Sequence, residues 1–425
     1  MTKLTLQEQL IADRRHLHAH PEEGWCEFET TWFIVQRLKA LGLEWKAGID
    51  VIEPSAVMGR NADLVEKAKK RALEHGVPAD FLGHLGGYTG AMAVLNTGRP
   101  GPVTGIRVDI DCLPIEESND PAHEANAGNY RSVYPGFSHA CGHDGHTAVG
   151  LAAARWLSEN REKLCGTVKI LFQPAEEGVR GAAAMAAKGI VDDVNWFVGA
   201  HIGCSARLGQ VGVSHFGYLA TTKFDLRYHG LAAAAGSPEK GRSALMCGAA
   251  TCMSLGSLPG HSQGITRVQI GRFESGTGRN IIAENAFMQL EVRGESTEIN
   301  DYMAANVEMT VKGLAVAYGV DYELTRMGEA VTYRGDEEAV SIVKEVAAQV
   351  PGVDSVVDMN AKIGSEDCTM LIRRVQEHGG KAVFFYYGCN HPGHHRGDFC
   401  IQDETSLPIG FGCFVGFIQR INGVK

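Results

Sequence analysis

The chain has 425 residues, of which 44% are apolar and 21% charged, as in an ordinary globular protein. This length exceeds what one hydrophobic core normally holds, so two domains are expected. The net charge of −10 and the lack of a basic stripe interleaved with aromatic residues argue against nucleic acid as a partner.

Membrane insertion and export are not expected. No apolar run approaches the length of a membrane span, and the first residues, Met1 to Glu8, contain no apolar signal core. The eleven cysteines are scattered without regular spacing, which is typical of free thiols in a reducing compartment. We therefore expect a cytoplasmic protein.

Two helices are predicted at the start of the chain. Thr5 and Glu8 form a capping box that opens a helix to about His18, and a second helix is expected over about 28–41. The polar, helical stretch 54–87 is interpreted as an insertion, because β patterns stand on both sides of it.

Buried-strand patterns then alternate with helices, which predicts an α/β fold with a largely parallel sheet covered on both faces. In such sheets the functional site lies beyond the carboxyl ends of the strands. Four strands are expected, over 103–108, 167–172, 196–200 and 382–387.

Side chains that bind metals or transfer protons follow each of these strands: Asp109, the pair Glu176 and Glu177, His201, and the group His391, His394 and His395. The turn from Ser138 to Thr147, S-H-A-C-G-H-D-G-H-T, adds Cys141 and His143 directly before an apolar helix pattern. Because the carboxyl ends of parallel strands meet at one edge of a sheet, these residues predict a metal site there.

The hydrophobic periodicity changes between about 218 and 325. The order strand, helix, strand, strand, helix, strand predicts a ferredoxin-like domain inserted in the first. We therefore expect a catalytic metal-binding domain from residues 1–216 and 328–425, and an inserted lid or dimerisation domain from residues 217–327.

A competing signal is Gly260-His261-Ser262-Gln263-Gly264, which matches the nucleophile-elbow string G-x-S-x-G. That motif requires a strand before the serine and a helix after it. Here a Gly/Pro loop precedes the serine and a β pattern follows, so a serine hydrolase is not expected.

The adjacent carboxylates Glu176 and Glu177 suit hydrolysis by metal-activated water. On an irregular turn, one can bind the metal while the other takes a proton from water whose pKa the metal lowers. Mixed thiolate, imidazole and carboxylate ligation favours a divalent transition metal, namely zinc, manganese or cobalt, over calcium or magnesium. The sequence does not choose among the three.

Six motifs resemble the metallopeptidase family of aminoacylases, carboxypeptidase G and plant auxin-conjugate amidohydrolases, and the resemblance spans nearly the whole chain. They are D-I-D-C-L-P, H-A-C-G-H-D-G-H, Q-P-A-E-E-G, A-H-I-G, G-S-E-D and the late G-H-H. Three further features are most similar to the aminobenzoyl-glutamate hydrolase branch: the insertion before Gly87, the motif A-T-T-K-F-D and the motif S-G-T-G-R-N. The resemblance implies a metal-dependent hydrolase of C–N bonds, with a lid domain that forms at least a dimer.

By motif position, the resemblance also implies site residues. Glu176 would be the general base, Asp109 a carboxylate that bridges ions or supports their ligands, and the metal ligands would be Cys141, His143, Glu177, His201 and His395. The family's usual His-x-Asp reads Arg107-x-Asp109 here, so one ligand of the two-metal pattern is missing. Cys141 is the candidate to replace it, and the sequence leaves open whether one or two ions bind.

Ala234 stands where the family has a histidine that reaches into the partner subunit's site and donates to the oxyanion of a tetrahedral amide intermediate. Three explanations stay open: a replacement made to slow turnover, substitution by Arg279 or His229, or a substrate without a carbonyl oxyanion. The last suits a hydrolytic deaminase of electron-poor aminobenzoates, the 5-nitroanthranilate type. An inactive metal-binding or regulatory homologue is a further alternative, and retention of Glu176 argues against it.

The substrate is expected to be small, aromatic and carboxylate-bearing. Arg279, Asn280 and Arg293 are the candidates to bind its carboxylate, because a planar guanidinium pairs well with a carboxylate. Ser365 is expected either to shape the pocket or to cap the helix that follows it.

Overall fold

The computed structural model of the chain describes residues 4–360 and 364–424. Its helices are α1 (Leu6–Ala19), α2 (Phe28–Ala40), α3 (Ala62–Glu74), α4 (Ala79–His84), α5 (Glu124–Ala127), α6 (His143–Glu159), α7 (Ala182–Ala187), α8 (Ala244–Gly256), α9 (Thr297–Tyr318), α10 (Glu337–Ala347), α11 (Cys368–Glu377) and α12 (Asp403–Asn422). Among these described helices, none combines the length and the apolar character that crossing a membrane requires.

The strands are β1 (Glu44–Ala47), β2 (Ala91–Asn96), β3 (Val103–Asp109), β4 (Thr167–Gln173), β5 (Trp196–Ile202), β6 (Gln210–Ser214), β7 (Phe216–Gly217), β8 (Ala220–His229), β9 (Ala233–Ala234), β10 (Thr266–Ser275), β11 (Ile281–Ile282), β12 (Asn285–Gly294), β13 (Asp321–Ala330), β14 (Tyr333–Arg334), β15 (Ser355–Asp358) and β16 (Lys381–Tyr387).

The described residues divide into two compact units. The first comprises residues 4–217, 333–360 and 367–424, and the second comprises residues 218–332 and 364–366. The chain leaves the first unit after β7 and returns to it at β14, and these two short strands pair with each other.

The first unit is built on an eight-stranded sheet in the order β1-β2-β4-β3-β5-β16-β6-β15. Its four central strands, β4, β3, β5 and β16, run parallel, while the antiparallel pairs lie toward the flanks. Consecutive residues of β16 from Ala382 to Tyr387 are all buried. Because neighbouring side chains on a strand point to opposite faces, both faces of this sheet are covered. The predicted largely parallel α/β fold is confirmed.

The stretch interpreted as an insertion connects two neighbouring strands of that sheet. β1 and β2 pair antiparallel, with Glu44 opposite Val94. The residues between them form α3 and α4 instead of a short turn. Asn61 caps α3, since its side chain accepts hydrogen bonds from the backbone N–H groups of Asp63 and Leu64.

The second unit has a four-stranded antiparallel sheet in the order β10-β12-β8-β13, with α8 between β8 and β10 and α9 between β12 and β13. Along β12, Met288, Leu290 and Val292 are buried and alternate with more exposed polar residues, as the sequence pattern predicts. Together with Phe224 and Val307, these residues belong to the core of this unit.

Candidate metal centre

The central strands of the first unit deliver polar side chains to one edge of the sheet. β3 ends at Asp109, β4 ends three residues before Glu176, and β5 carries His201 one residue before its end. The loop that follows β16 carries His394 and His395. Parallel strands place these ends side by side, which is where open α/β sheets bind ligands.

Cys141 lies at the middle of this cluster and belongs to two groups of potential metal donors. In the first group, donor atoms of Cys141, His143 and His201 lie within 4.8 Å of one another. In the second, the same is true of Cys141, Glu177 and His395. Each group could hold a divalent cation, and Cys141 would contribute its sulfur as a ligand in either one.

The turn into α6 positions Cys141 and His143. Gly142 precedes the first residue of the helix and has φ of +94°, a conformation that favours glycine. A Cβ at this position would lie 2.5 Å from Cγ2 of Ile202, so the turn has no room for a side chain. The sharp turn allows Cys141 and His143, two residues apart, to reach the same site.

Asp111 orients His143. Nδ1 of His143 lies 3.2 Å from Oδ1 of Asp111, which leaves Nε2 for a metal. The second oxygen of Asp111 accepts a hydrogen bond from the backbone N–H of Glu177 at 2.9 Å. One buried carboxylate therefore holds two of the predicted ligands.

Hydrogen bonds also distinguish His201 from His146. Nδ1 of His201 donates to the carbonyl oxygen of Ile202 at 2.7 Å, so Nε2 carries the lone pair, and it lies 3.4 Å from Sγ of Cys141. In His146, Nδ1 contacts Asp109 at 2.5 Å and Nε2 accepts from the backbone N–H of Ile202 at 2.8 Å. Both ring nitrogens of His146 are thus occupied, and we do not count it as a ligand.

Glu176 and Glu177 lie on a strained turn. Ala175 and Val179, on either side of the pair, have φ of +52° and +58°, which non-glycine residues rarely adopt and which is found at functional sites. Oε2 of Glu176 lies 3.9 Å from Nε2 of His143, and Oε1 of Glu177 lies 3.5 Å from Nε2 of His395. Donor atoms of both carboxylates lie within 4.8 Å of a ring nitrogen of His143, and Glu177 reaches His395 as well.

Buried donor atoms without hydrogen-bond partners make the site suitable for a divalent transition metal. Among the described residues, Nε2 of His143 and Oε1 of Glu177 are buried atoms that lack a hydrogen-bond partner. Leaving such atoms unpaired costs about 1–3 kcal/mol each, and a bound cation would satisfy both. Their chemistry, with a thiol between them, is the donor set that zinc, manganese and cobalt accept.

Burial and charge set the protonation of the cluster. Burial by itself would raise the pKa of Asp109, but His143, His146 and Arg107 hold that pKa well below its usual range. Burial, together with the nearby Glu177 carboxylate, raises the pKa of the Cys141 thiol. Coordination to a divalent cation would favour the thiolate form of Cys141 instead.

Arg107 has a supporting position and is fully buried. Its guanidinium donates to Asp109 at 2.8 Å, to Asp367 at 3.2 Å and to the side-chain oxygen of Gln173 at 2.7 Å. Arg107 thereby fixes the carboxylate of Asp109, which faces His143.

The predicted substrate-binding residues of the second unit do not form one group. Ala234 in β9 pairs with Ile281 in β11, and the backbone N–H of Ala235 donates to the carbonyl oxygen of Asn280. The altered family position is therefore close in the fold to Asn280 and its neighbour Arg279.

Arg293 lies elsewhere in that unit. It is eight residues along β12 from Asn285, or about 26 Å at 3.3 Å per residue. Its guanidinium donates to Glu291 at 2.8 Å. Arg293 and Asn280 are thus separated by most of the length of the sheet.

Two further expectations concern Ser365 and Ser262. The helix that follows Ser365 begins at Cys368 with Asp367 at its N-cap position, so the expectation that Ser365 caps it is wrong. Asp367 accepts from two backbone N–H groups at the start of α7. Ser262 lies on an exposed turn between α8 and β10, the reverse of the strand-to-helix order of a nucleophile elbow.

The structure adds Asp111 to the site and separates His394 from the group of three histidines in which the sequence placed it. Asp111 was detectable from the D-I-D spacing, because alternate residues at a strand end point the same way. His394 lies with Nδ1 3.5 Å from Sγ of Cys141. The resemblance assigns the ligand role to the next residue, His395. The spacing in the sequence cannot tell which of two adjacent histidines reaches the metal.

Comparison with protein families gives a match over most of the chain. The family described as Peptidase family M20/M25/M40 matches residues 105–420. A homologue of p-aminobenzoyl-glutamate hydrolase from Haemophilus influenzae is 41% identical over 416 residues, which cover 97% of this chain and 98% of that protein. An indole-3-acetyl-aspartic acid hydrolase of Enterobacter agglomerans is 41% identical over 401 residues, 93% of this chain and 92% of that protein.

A solved structure agrees with the fold of the chain. The crystal structure of an aminobenzoyl-glutamate utilization protein from Klebsiella pneumoniae has a TM-score of 0.83 and 36% sequence identity. The match covers 97% of this chain and 96% of that chain. Similarity in sequence and in structure therefore extends across almost the full length.

Proposed function

The chain belongs to peptidase family M20/M25/M40, and on that premise we propose that it hydrolyses the amide bond of a small N-aroyl or N-acyl amino acid. It is a metal-dependent hydrolase of C–N bonds other than peptide bonds. The observation that carries the proposal is the place of Cys141 in two donor groups, with Glu176 beside them. The activities for which the two relatives are named support an aromatic substrate with a free carboxylate.

Each residue of the site has a role in this reaction. Bound divalent metal would polarise the substrate carbonyl and lower the pKa of a water molecule. Zinc, manganese or cobalt, as one or two ions, would be held by Cys141, His143, Glu177, His201 and His395. Glu176 accepts the proton of the attacking water at its carboxylate and returns it to the leaving amine. Asp111 and Asp109 keep the ligands oriented.

We further propose that the second unit forms a homo-oligomer, at least a dimer, and acts as a lid. Its helices α8 and α9 expose large apolar side chains, with Met253 and Val316 each 77% and Met309 66% exposed. Apolar surface of this kind is typical of association sites. A cytoplasmic location is supported by the eleven cysteines, all of which are free thiols.

One observation favours a second activity. The alanine at position 234 offers no hydrogen-bond donor from its side chain, whereas amide hydrolysis gains from a donor to the oxyanion. Hydrolytic deamination of an electron-poor aminobenzoate places the developing charge on the ring and does not require that donor. The released product distinguishes the two reactions.

The test is an assay of metal-loaded protein with three substrates: p-aminobenzoyl-glutamate, indole-3-acetyl-aspartate and 5-nitroanthranilate. Release of glutamate or aspartate supports the proposal. Release of ammonia from the aminobenzoate alone supports the deaminase. No product from any of the three, with zinc, manganese and cobalt each supplied, supports an inactive metal-binding homologue.

A further inference from the structure

We propose that His394 is a positioning residue that donates a hydrogen bond from Nδ1 to the thiolate of Cys141, while His395 alone serves as the ligand from this loop. The inference rests on the proposed metal centre. It concerns which of two adjacent histidines touches metal and which one acts through the sulfur.

The hydrogen bonds of His394 fix the position of its proton. Nε2 of His394 lies 2.9 Å from the backbone nitrogen of Cys204. A backbone N–H can only donate, so Nε2 accepts and carries no proton. The single N–H of the neutral ring is then at Nδ1, which lies 3.5 Å from Sγ of Cys141. That distance is within the range of a hydrogen bond to sulfur.

Cys204 is held in an unusual backbone conformation that presents its N–H to His394. Its φ is +54°, rare for a residue with a side chain, and the carbonyl oxygen of Cys204 contacts Nε2 of His391 at 3.2 Å. The ring of His394 packs against those of Phe399 and His391, with centroids 4.9 and 4.4 Å apart. The imidazole is thus anchored at one nitrogen and by its neighbouring rings, with the other nitrogen directed at the thiol.

The backbone separates the two adjacent histidines. His395 has φ of +60°, and its N–H donates to the carbonyl oxygen of Ala140, the residue before Cys141. Nε2 of His395 reaches Glu177, while Nδ1 of His394 reaches Cys141. One short loop therefore supplies a candidate ligand to one donor group and a hydrogen bond to the sulfur that both groups share.

Hydrogen-bond partners of metal ligands usually contribute about 10- to 100-fold to metal affinity. An N–H donor stabilises the electron pair of the sulfur, so its removal makes charge transfer from thiolate to metal easier. Loss of the donor should therefore weaken metal binding and move the charge-transfer band to lower energy, with every ligand still present.

The experiment is a cobalt(II) titration of the metal-free full-length protein, followed by absorbance. His394→Phe should bind the same number of ions at saturation as the wild type, roughly 10-fold or more weakly, with the sulfur-to-cobalt band at lower energy. His394→Gln, whose amide can both accept and donate, should keep the band near its wild-type position. His378→Phe removes a partly exposed imidazole that pairs with Asp192 after α11 and is the control, with the wild-type band expected.

Three results would overturn the inference. Fewer ions bound at saturation by His394→Phe would make His394 a ligand. If His394→Phe keeps the wild-type metal affinity and spectrum, no hydrogen bond from His394 acts on the sulfur. The same conclusion follows if the band of His394→Gln shifts as far as that of His394→Phe. If His394→Phe does not fold, His394→Ala is judged by the same criteria. Absence of cobalt binding by the wild type is a separate outcome, because it rejects the proposed metal centre itself.

Discussion

His143 and Asp111 form a buried pair in which Nδ1 of the imidazole contacts Oδ1 of the carboxylate at 3.2 Å. The other oxygen of Asp111 accepts from the N–H of Glu177 at 2.9 Å. The carboxylate thus fixes the ring orientation that exposes Nε2 and also fixes the backbone that carries Glu177. Both predicted ligands therefore depend on this one side chain.

We predict that Asp111→Asn lowers metal affinity by about 10- to 100-fold. An amide has one acceptor oxygen, so either His143 or the N–H of Glu177 loses its partner. Competition with a chelating indicator measures the affinity. Asp13→Asn is the control, because Asp13 is a buried carboxylate that pairs with Arg37 instead. If Asp111→Asn and the wild type bind metal with equal affinity, Asp111 does not support the ligands.

Glu176→Ala should retain its metal and lose turnover by about 10²- to 10⁴-fold, the usual contribution of a general base. Glu176 lies in a donor group with His143 and Glu177, but the proposed ligands Cys141, His143, Glu177, His201 and His395 all remain when its carboxylate is removed. Metal content and kcat are measured on the same preparation. A variant that turns over at the wild-type rate would exclude Glu176 from proton transfer.

Part of this centre was predictable from the sequence for a physical reason. Asp109 and His201 lie at the carboxyl ends of buried strands, and the ends of parallel strands must lie at one edge. The separation of Arg293 from Asn280 was not predictable, because both fit a carboxylate site by residue type. Only the register of β12 shows that most of a strand lies between them.

The substitution Ala234→His tests whether the site lacks a hydrogen-bond donor to the oxyanion. If the chain hydrolyses amides, the new imidazole should raise kcat for p-aminobenzoyl-glutamate, by up to about 10²-fold, because one oxyanion donor is typically worth that much. The exposed side chain of Ala234 leaves room for a larger one. Ala232→His, two residues before it, is the control. Unchanged amide turnover, with ammonia still released from an aminobenzoate, would favour the deaminase.

Glu27 should make the stability of the protein depend on pH. Its buried carboxyl accepts from the hydroxyl of Thr89 at 2.6 Å and from the N–H of Ala175 at 2.8 Å. Burial, followed by the negative charge of Asp111, raises the pKa of Glu27 to about 8 from an ordinary value of 4.5. The folded state therefore keeps the proton in a pH range where the unfolded chain releases it.

The free energy of unfolding should consequently fall as pH rises from about 4.5 to about 8, by up to about 1.4 kcal/mol per pH unit from this group. Glu27→Gln stays uncharged at every pH, so it should lose this slope and be more stable than the wild type above pH 8. Urea unfolding at pH 5.5 and 8.5 measures the difference, with the surface variant Glu66→Gln as control. An unchanged slope in Glu27→Gln would show that Glu27 is ionised when buried.

The adjacent histidines mark the limit of what the sequence reveals about the site. G-H-H predicts that an imidazole reaches the metal, but the spacing is the same for either residue. The distinction comes from the positive φ of His395 and from the N–H of Cys204, a residue 190 positions away from His394. Contacts of such long range depend on the completed sheet.

The most direct test is zinc-edge X-ray absorption of zinc-loaded wild type and Cys141→Ala. Cys141 lies within 4.8 Å of the donor atoms of both groups, so its sulfur should be a zinc ligand. We predict a sulfur scatterer at about 2.3 Å in the wild type, and its loss, together with lower zinc content, in Cys141→Ala. Zinc bound in the wild type by nitrogen and oxygen alone, or equal zinc content in the two proteins, would contradict the account.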